Sequence, residues 1–125
     1  MSRVRKSFGD WGEGLAAEFL QDQGYSLLAR NQRTPYGKID LIARQTADDR
    51  SVIVFVEVKT RSSSSFGLPE EAITPRKQEH MLSAAQFYLQ QHPELDQDWR
   101  IDVIAVERYN PDKPPQITHF ENAIR

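Results

Sequence analysis

A carboxylate and an amine stand at alternate positions where an unbroken apolar run ends: Val52 to Val56 leads into Glu57-Val58-Lys59-Thr60-Arg61. The run is β-branched and aromatic, which favours a strand buried on both faces. Side chains alternate along a strand, so Glu57 and Lys59 share one face while Val54, Val56 and Val58 line the other. Their α-carbons are expected ~7 Å apart. Two charges at the end of a buried strand are costly unless both find partners. A structural ion pair, or side chains emerging into solvent at a sheet end, would meet that need. The residues alone leave open whether the pair also does chemistry.

Three more groups invite the same question. Asp40 interrupts the apolar stretch Ile39-Asp40-Leu41-Ile42, although Asp is depleted in strand interiors. Glu13 lies in a helical pattern and projects within about 40° of Ala17 and Leu20, so it faces inward or sits at the boundary. Exposure in a helical first turn is the alternative for this carboxylate. Arg76 and Lys77 fall in the first turn of a later helix, where the dipole disfavours cations. Basic side chains beside free helix N–H groups suit a phosphate; two solvated charges are the plainer reading.

The elements that must position these groups follow from periodicity and punctuation. Trp11, Leu15 and Phe19, with Gly12, Ala16 and Leu20, recur at helical spacing and predict a helix over 10–23 that stops at Gly24. Gly9, Gly12 and Gly14 follow no predicted strand, which argues against a nucleotide-binding loop. A short strand is expected over 25–30, a turn at Thr34-Pro35-Tyr36-Gly37, and a strand over 38–43. Strict alternation would set Ile39, Leu41 and Ala43 on one face and Lys38, Asp40 and Ile42 on the other. A polar turn over 45–50 returns the chain to the strand of 51–61. Thr60 to Leu68, with consecutive serines, reads as a mobile loop that either covers a substrate or merely connects. Thr74-Pro75 opens a helix as N-cap and first residue; its buried stripe is Met81, Ala85, Tyr88 and Leu89, and Pro93 closes it. A strand over 99–106 and a short edge strand over 116–120 complete the series. His80, His92 and His119 have no metal-ligand spacing and read as surface residues.

Composition sets outer limits. The 125 residues suit a single domain, 1–125, able to bury a core. With no cysteine, disulfides, thiol nucleophiles and cysteine zinc sites are excluded. No stretch approaches the roughly 20 apolar residues of a membrane span, and the basic N-terminus lacks a signal peptide's apolar core; a cytoplasmic protein with no membrane partner is expected. The net charge of −2 hides an asymmetry. Residues 1–77 carry 12 Lys+Arg against 10 Asp+Glu, while 78–125 carry 4 against 8. Screening acts over about 8 Å, so local patches matter more than the total.

In chain order the pattern is α-β-β-β-α-β, with Glu13, Asp40 and Glu57-Val58-Lys59 at element ends. This resembles the PD-(D/E)xK nuclease superfamily, whose signature is an Asp on one strand and (Asp/Glu)-x-Lys on the next. More closely, the chain resembles the YraN-like family of bacterial proteins. The stretches that carry this are Gly12-Glu13-Gly14-Leu15-Ala16-Ala17, Gly24-Tyr25, Ala29-Arg30-Asn31, Gly37-Lys38-Ile39-Asp40-Leu41-Ile42 and Phe55-Val56-Glu57-Val58-Lys59-Thr60-Arg61. Phe66-Gly67, Lys77-Gln78, Ala84-Ala85 and Arg100-Ile101-Asp102-Val103 also fit. A Glu-x-Lys alone is common; the ordered set is specific and covers nearly the whole chain, most weakly after Asn110. One departure stands out: the family usually has Gly-Glu-Ile-Asp where this chain has Gly37-Lys38-Ile39-Asp40.

The resemblance implies an α/β, restriction-endonuclease-like fold, with a central mixed sheet flanked by helices. It also implies a nucleic-acid-binding nuclease that hydrolyses DNA phosphodiester bonds with Mg²⁺ or Mn²⁺. Asp40, Glu57 and the Val58 carbonyl would hold the metal, Lys59 would orient or deprotonate the attacking water, and Glu13 would reach metal through water. Arg61, Arg76, Lys77 and Lys38 would contact phosphate. Glu13 matches the helix Glu of archaeal Holliday junction resolvases, which makes branched DNA a candidate substrate and a homodimer a candidate assembly. Lys38 would either repel the cation or add a phosphate contact. Two alternatives come from other classes: a nucleic-acid-binding module that does not cleave, and a protein-interaction domain whose charged cluster is structural.

Overall fold

The computed structural model describes residues 3–62, 73–95 and 97–124, with side chains from residue 7 onward. Among them the order is α1 (Arg3–Asp22), β1 (Ser26–Thr34), β2 (Gly37–Ala47), β3 (Arg50–Arg61), α2 (Pro75–Gln91), β4 (Asp98–Glu107) and β5 (Gln116–Ile124). The strands form one mixed sheet in the order β1-β2-β3-β4-β5. β3 and β4 are parallel, joined by the crossover that contains α2, and the other neighbours are antiparallel. This is the expected α-β-β-β-α-β core extended by an edge strand, an α/β fold consistent with a restriction-endonuclease-like core.

Each helix covers one face. Ala16, Ala17 and Leu20 of α1 pack on Leu41, Val54, Val56, Val58 and Ile104. Ala84, Ala85 and Tyr88 of α2 pack on Ile42, Ile53, Phe55 and Val103. The odd–even division along β3 is the one that its apolar run implies. Thr74 caps α2 as expected, its hydroxyl accepting from the Lys77 N–H. Gly12 is placed by packing: a Cβ there would overlap the Thr60 side chain, so glycine lets α1 lie against β3.

Several element bounds differ from expectation. The helix starts well before residue 10, and β1 runs to Thr34. The polar stretch 45–50 is mostly strand: Gln45, Thr46 and Ala47 pair with Val52, Ser51 and Arg50. The turn shrinks to Asp48-Asp49, both at positive φ (51° and 65°), the geometry of a tight hairpin. Thr60 and Arg61 still belong to β3, and residues 63–68 of the expected loop, with Phe66-Gly67, lie outside the described residues.

At the β4–β5 edge a second buried carboxylate organises the sheet. Asp102 is 0% exposed. It accepts from Arg100 Nε at 3.0 Å, His119 Nε2 lies 2.7 Å away, and the Asn122 N–H donates at 2.8 Å. Arg100 also donates to the Tyr25 hydroxyl and to Gln45, tying β4 to β2 and to the end of α1. His119 is therefore not the surface residue that spacing suggests. His92 too is half-buried, stacked on Tyr88. Burial pushes the Asp102 carboxyl up, but His119, Arg100 and the Asn122 N–H outweigh it and hold its pKa below the ordinary 3.8. A depressed folded-state pKa stabilises the fold fully above the unfolded value and loses that contribution as pH falls through the folded one. Asp102→Ala should lower the unfolding free energy by about 3–5 kcal/mol at neutral pH, because Arg100 and His119 lose their buried partner. Urea melts at neutral pH and near pH ~3 should show the variant's deficit shrinking in acid.

Candidate metal and phosphate site

The site lies where β2 and β3 part. Their ladder is regular as far as Leu41↔Val56 and stops there. Beyond it Val58 has no pairing with β2, and the Asp40 carboxylate accepts its N–H at 2.8 Å. Asp40 thus replaces a backbone acceptor at the fork, which explains an Asp inside an apolar strand. Freed from β3, the chain also loses strict alternation. Ile39 joins Ile42 on the α2 face, while Leu41 and Ala43 stay on the α1 face; the expected grouping of Ile39 with Leu41 does not hold. Asn31, across from Asp40 on β1, takes a left-handed φ of 52°.

Glu13 is 8% exposed, so it faces inward. Its Oε2 lies 3.5 Å from Lys38 Nζ, and its Oε1 is buried with no hydrogen-bond partner among the described residues. Lys38 Nζ is also 3.5 Å from Asp40 Oδ1 and donates to Asn31 Oδ1 at 2.9 Å. Glu57 is 7% exposed and meets two ammonium groups, Lys59 at 3.4 Å and Lys77 at 3.7 Å. Three carboxylates therefore face three lysines: Glu13 from the middle of α1 and not from the element end expected, Lys38 and Asp40 from the start of β2, Glu57 and Lys59 from the latter part of β3, and Lys77 from the first turn of α2.

The titration directions reflect this crowding. Burial, then the charge of Asp40, raises the Glu57 carboxyl, and Lys77 and Lys59 offset only part of that. Burial and Asp40 raise Glu13 in the same way, with Lys38 opposing. For Lys38, burial favours the neutral amine, but Asp40 and Glu13 outweigh it and raise its pKa. The carboxylates hold more negative charge than they can comfortably share, and the lysines hold it in place.

Such a donor set fits a hard divalent cation. Asp40 supplies a carboxylate beside the Val58 backbone, Glu57 follows on β3, and Glu13 Oε1 is a buried acceptor with no donor among the described residues. Among the described residues no three Asp, Glu or His side chains converge closely enough to cage an ion alone.

Glu13, Lys38 and Asp40 form one ion-paired group and Glu57, Lys59 and Lys77 another, and the Asp40 charge acts on Glu57. Lys77 is thereby not simply solvated, and Lys38 is held inside the cluster. Arg61 lies further along β3, where its carbonyl accepts from the Arg108 N–H. Arg76 stays exposed on the first turn of α2, and Thr74 already takes one of that helix's free N–H groups. Among the described residues no helix is long and apolar enough to cross a membrane.

Comparison with known proteins agrees with the family resemblance. Residues 12–106 match the model of Uncharacterised protein family UPF0102, which is YraN-like. A UPF0102 protein of Syntrophotalea carbinolica is 44% identical over 99% of this chain and 96% of its own length. One from Syntrophomonas wolfei is 43% identical over 97% of this chain and all of its own. One from Dehalococcoides mccartyi is 38% identical over 99% and 98%.

If Lys38 competes with a cation for Asp40 and Glu13, Lys38→Met should tighten Mn²⁺ binding about tenfold, worth ~1.4 kcal/mol. Calorimetric titration of wild type and variant reads this directly. Equal or weaker binding by the variant would mean that Lys38 does not oppose the ion.

Proposed function

We propose that this chain, which belongs to the uncharacterised protein family UPF0102, is a nucleic-acid-binding nuclease that hydrolyses DNA phosphodiester bonds with Mg²⁺ or Mn²⁺. One observation carries the reading: Asp40 and Glu57 lie at the β2–β3 fork with Lys59 on Glu57. The Asp40 carboxylate takes the Val58 N–H there, and burial, then the Asp40 charge, raises the pKa of Glu57. Phosphodiester hydrolysis needs a positioned water, neutralised phosphate charge and a stabilised leaving oxygen.

When bound, the cation would neutralise charge on the phosphate oxygens. The residues of the chain divide the remaining work. Asp40, anchored by the Val58 N–H, presents its other oxygen to the site. Glu57 fixes the Lys59 ammonium at 3.4 Å, where Lys59 would hold the attacking water and move its proton. Lys77 and Lys38 supply positive charge to the incoming phosphate, with Arg61 and Arg76 further along. Phosphate contacts of this kind give affinity and register without sequence readout. Branched DNA is the substrate suggested by the likeness of Glu13 to the helix Glu of archaeal Holliday junction resolvases, a fold-level analogy.

A second reading treats the cluster as structural, supported by the pairing of each carboxylate with a lysine. The two separate cleanly. Asp40→Asn keeps an oxygen to accept the Val58 N–H, so the fold should survive while metal-dependent cleavage is abolished. Lys59→Ala should cut the rate by roughly a hundred- to ten-thousandfold and leave metal binding largely intact. The structural reading instead expects both variants to lose stability with no activity to lose. Cleavage assays on duplex, single-stranded and four-way-junction DNA, run beside melting curves with and without Mg²⁺ or Mn²⁺, decide between them. A wild-type protein that cuts none of these and gains no stability from either ion would sink the enzyme reading.

A further inference from the structure

The far end of β3 and β4 carries a cation that the fork does not use. The Arg108 guanidinium lies 4.4 Å from the centroid of the Trp11 ring and 5.7 Å from that of Phe8. Those two rings are stacked, with centroids 5.4 Å apart and planes 15° from parallel. Both guanidinium separations fall within the ~6 Å at which an aromatic face attracts a cation. Among the described residues no carboxylate pairs with this guanidinium and no side chain accepts from it. Glu107, its neighbour in sequence, accepts from the Tyr109 hydroxyl. Arg108 is half-buried, and its backbone N–H is fixed on the Arg61 carbonyl at 2.9 Å. Just before Phe8, α1 begins with Arg3, Arg5 and Lys6, so this stretch of helix is basic as well as aromatic. An arginine held on two rings with no internal counter-charge is poised for an anion from outside the chain.

We propose that Arg108, clamped on Trp11 and Phe8, contacts a backbone phosphate of DNA that runs on from the fork across the ends of β3 and β4. The inference rests on the nucleic-acid reading of the fork and adds to it a contact on the α1 side of the sheet. The rings occupy a face of the guanidinium, whereas its N–H donors lie in the plane, where they can bind phosphate two at a time. Stacking sets that plane beforehand, so less side-chain freedom is lost when a phosphate arrives. The position suits a strand that continues past Lys59. In the parallel ladder Lys59 pairs with Ala105 and Arg61 with Glu107. Arg108 therefore stands three residues beyond Lys59 in register, roughly 10 Å along the strand direction. Phosphates on one strand of a duplex advance about 3.4 Å each, so the two contacts are about three phosphates apart.

The test is equilibrium binding of the intact chain to a short DNA duplex in EDTA, so that no strand is cut, at several salt concentrations. Arg108→Gln should weaken binding about tenfold at low salt and reduce the log–log salt slope by about 0.9, the share of one phosphate. Arg50→Gln removes the same charge from an exposed position at the opposite end of β3 and should change neither. Arg108→Lys keeps the charge without the planar group, so affinity should fall while the slope stays near that of the wild type. Trp11→Leu keeps an apolar side chain but removes the larger ring of the clamp, and should lower affinity with Arg108 still present. An Arg108→Gln variant that binds like wild type, or an Arg50→Gln variant weakened equally, would overturn the contact and leave phosphate binding at the fork standing. Wild-type affinity in Trp11→Leu would overturn the clamp; should that variant not fold, wild-type affinity in Arg108→Lys would overturn it instead. A wild type that binds no duplex at any salt would overturn the contact and the nucleic-acid reading together. The Arg108 effect without any cleavage in Mg²⁺ would keep the contact and remove only the nuclease.

Discussion

The structure turns on one hydrogen bond, from the Val58 N–H to the Asp40 carboxylate at 2.8 Å. A backbone donor buried at a parting pair of strands must find an acceptor or cost a desolvated, unmade bond. Asp40 meets that need with one oxygen and so fixes the position of the other. The fork then determines what surrounds it. β2 leaves β3 after Leu41↔Val56, Glu57 projects toward α2, and α1 approaches closely enough at Gly12 to bring Glu13 inward. Neither helix touches the fork by accident: each packs on one apolar face of the same strands.

Charge balance is the second constraint. Glu13, Asp40 and Glu57 carry like charge in a largely buried site, and the carboxyls of Glu13 and Glu57 are raised by burial first and by the charge of Asp40 second. Lys38, Lys59 and Lys77 neutralise that like charge from three different elements. A lysine on Glu57 at the α2 end leaves the fork open toward Asp40, whereas Lys38 bridges Asp40 and Glu13 directly. Its ammonium is therefore the internal competitor that a divalent cation meets.

Much of this was legible in the residues. The apolar run ending in Glu57-Val58-Lys59 fixed a central strand and the shared face of Glu57 and Lys59. Thr74-Pro75 marked the start of α2 because cap and proline act locally. What failed depended on distant partners. Gln45 to Ala47 look like a turn because they are polar, yet the ladder carries them to a hairpin held by positive φ at Asp48 and Asp49. Ile39 was assigned to the wrong face because alternation presumes an unbroken ladder, and the break is a property of two strands. Ile39-Asp40-Leu41-Ile42 and Ile101-Asp102-Val103-Ile104 have nearly the same pattern, and only the first drew notice. Asp102 ends in a network with Arg100, His119 and Asn122. Asp40 satisfies one N–H and keeps its other oxygen facing Lys38. An Asp in an apolar strand signals a buried acceptor, and only its neighbours decide whether it is structural or open to a ligand.

The central claim is that the fork is a divalent-cation site, and locating the ion tests it most directly. Crystals grown in Mn²⁺ and measured for anomalous scattering should show a peak between the Asp40 and Glu57 carboxylates, beside the Val58 carbonyl. The peak should vanish in Asp40→Asn crystals grown the same way. No peak at the fork at saturating Mn²⁺, with Lys38 and Lys59 still paired to the carboxylates, would contradict the claim.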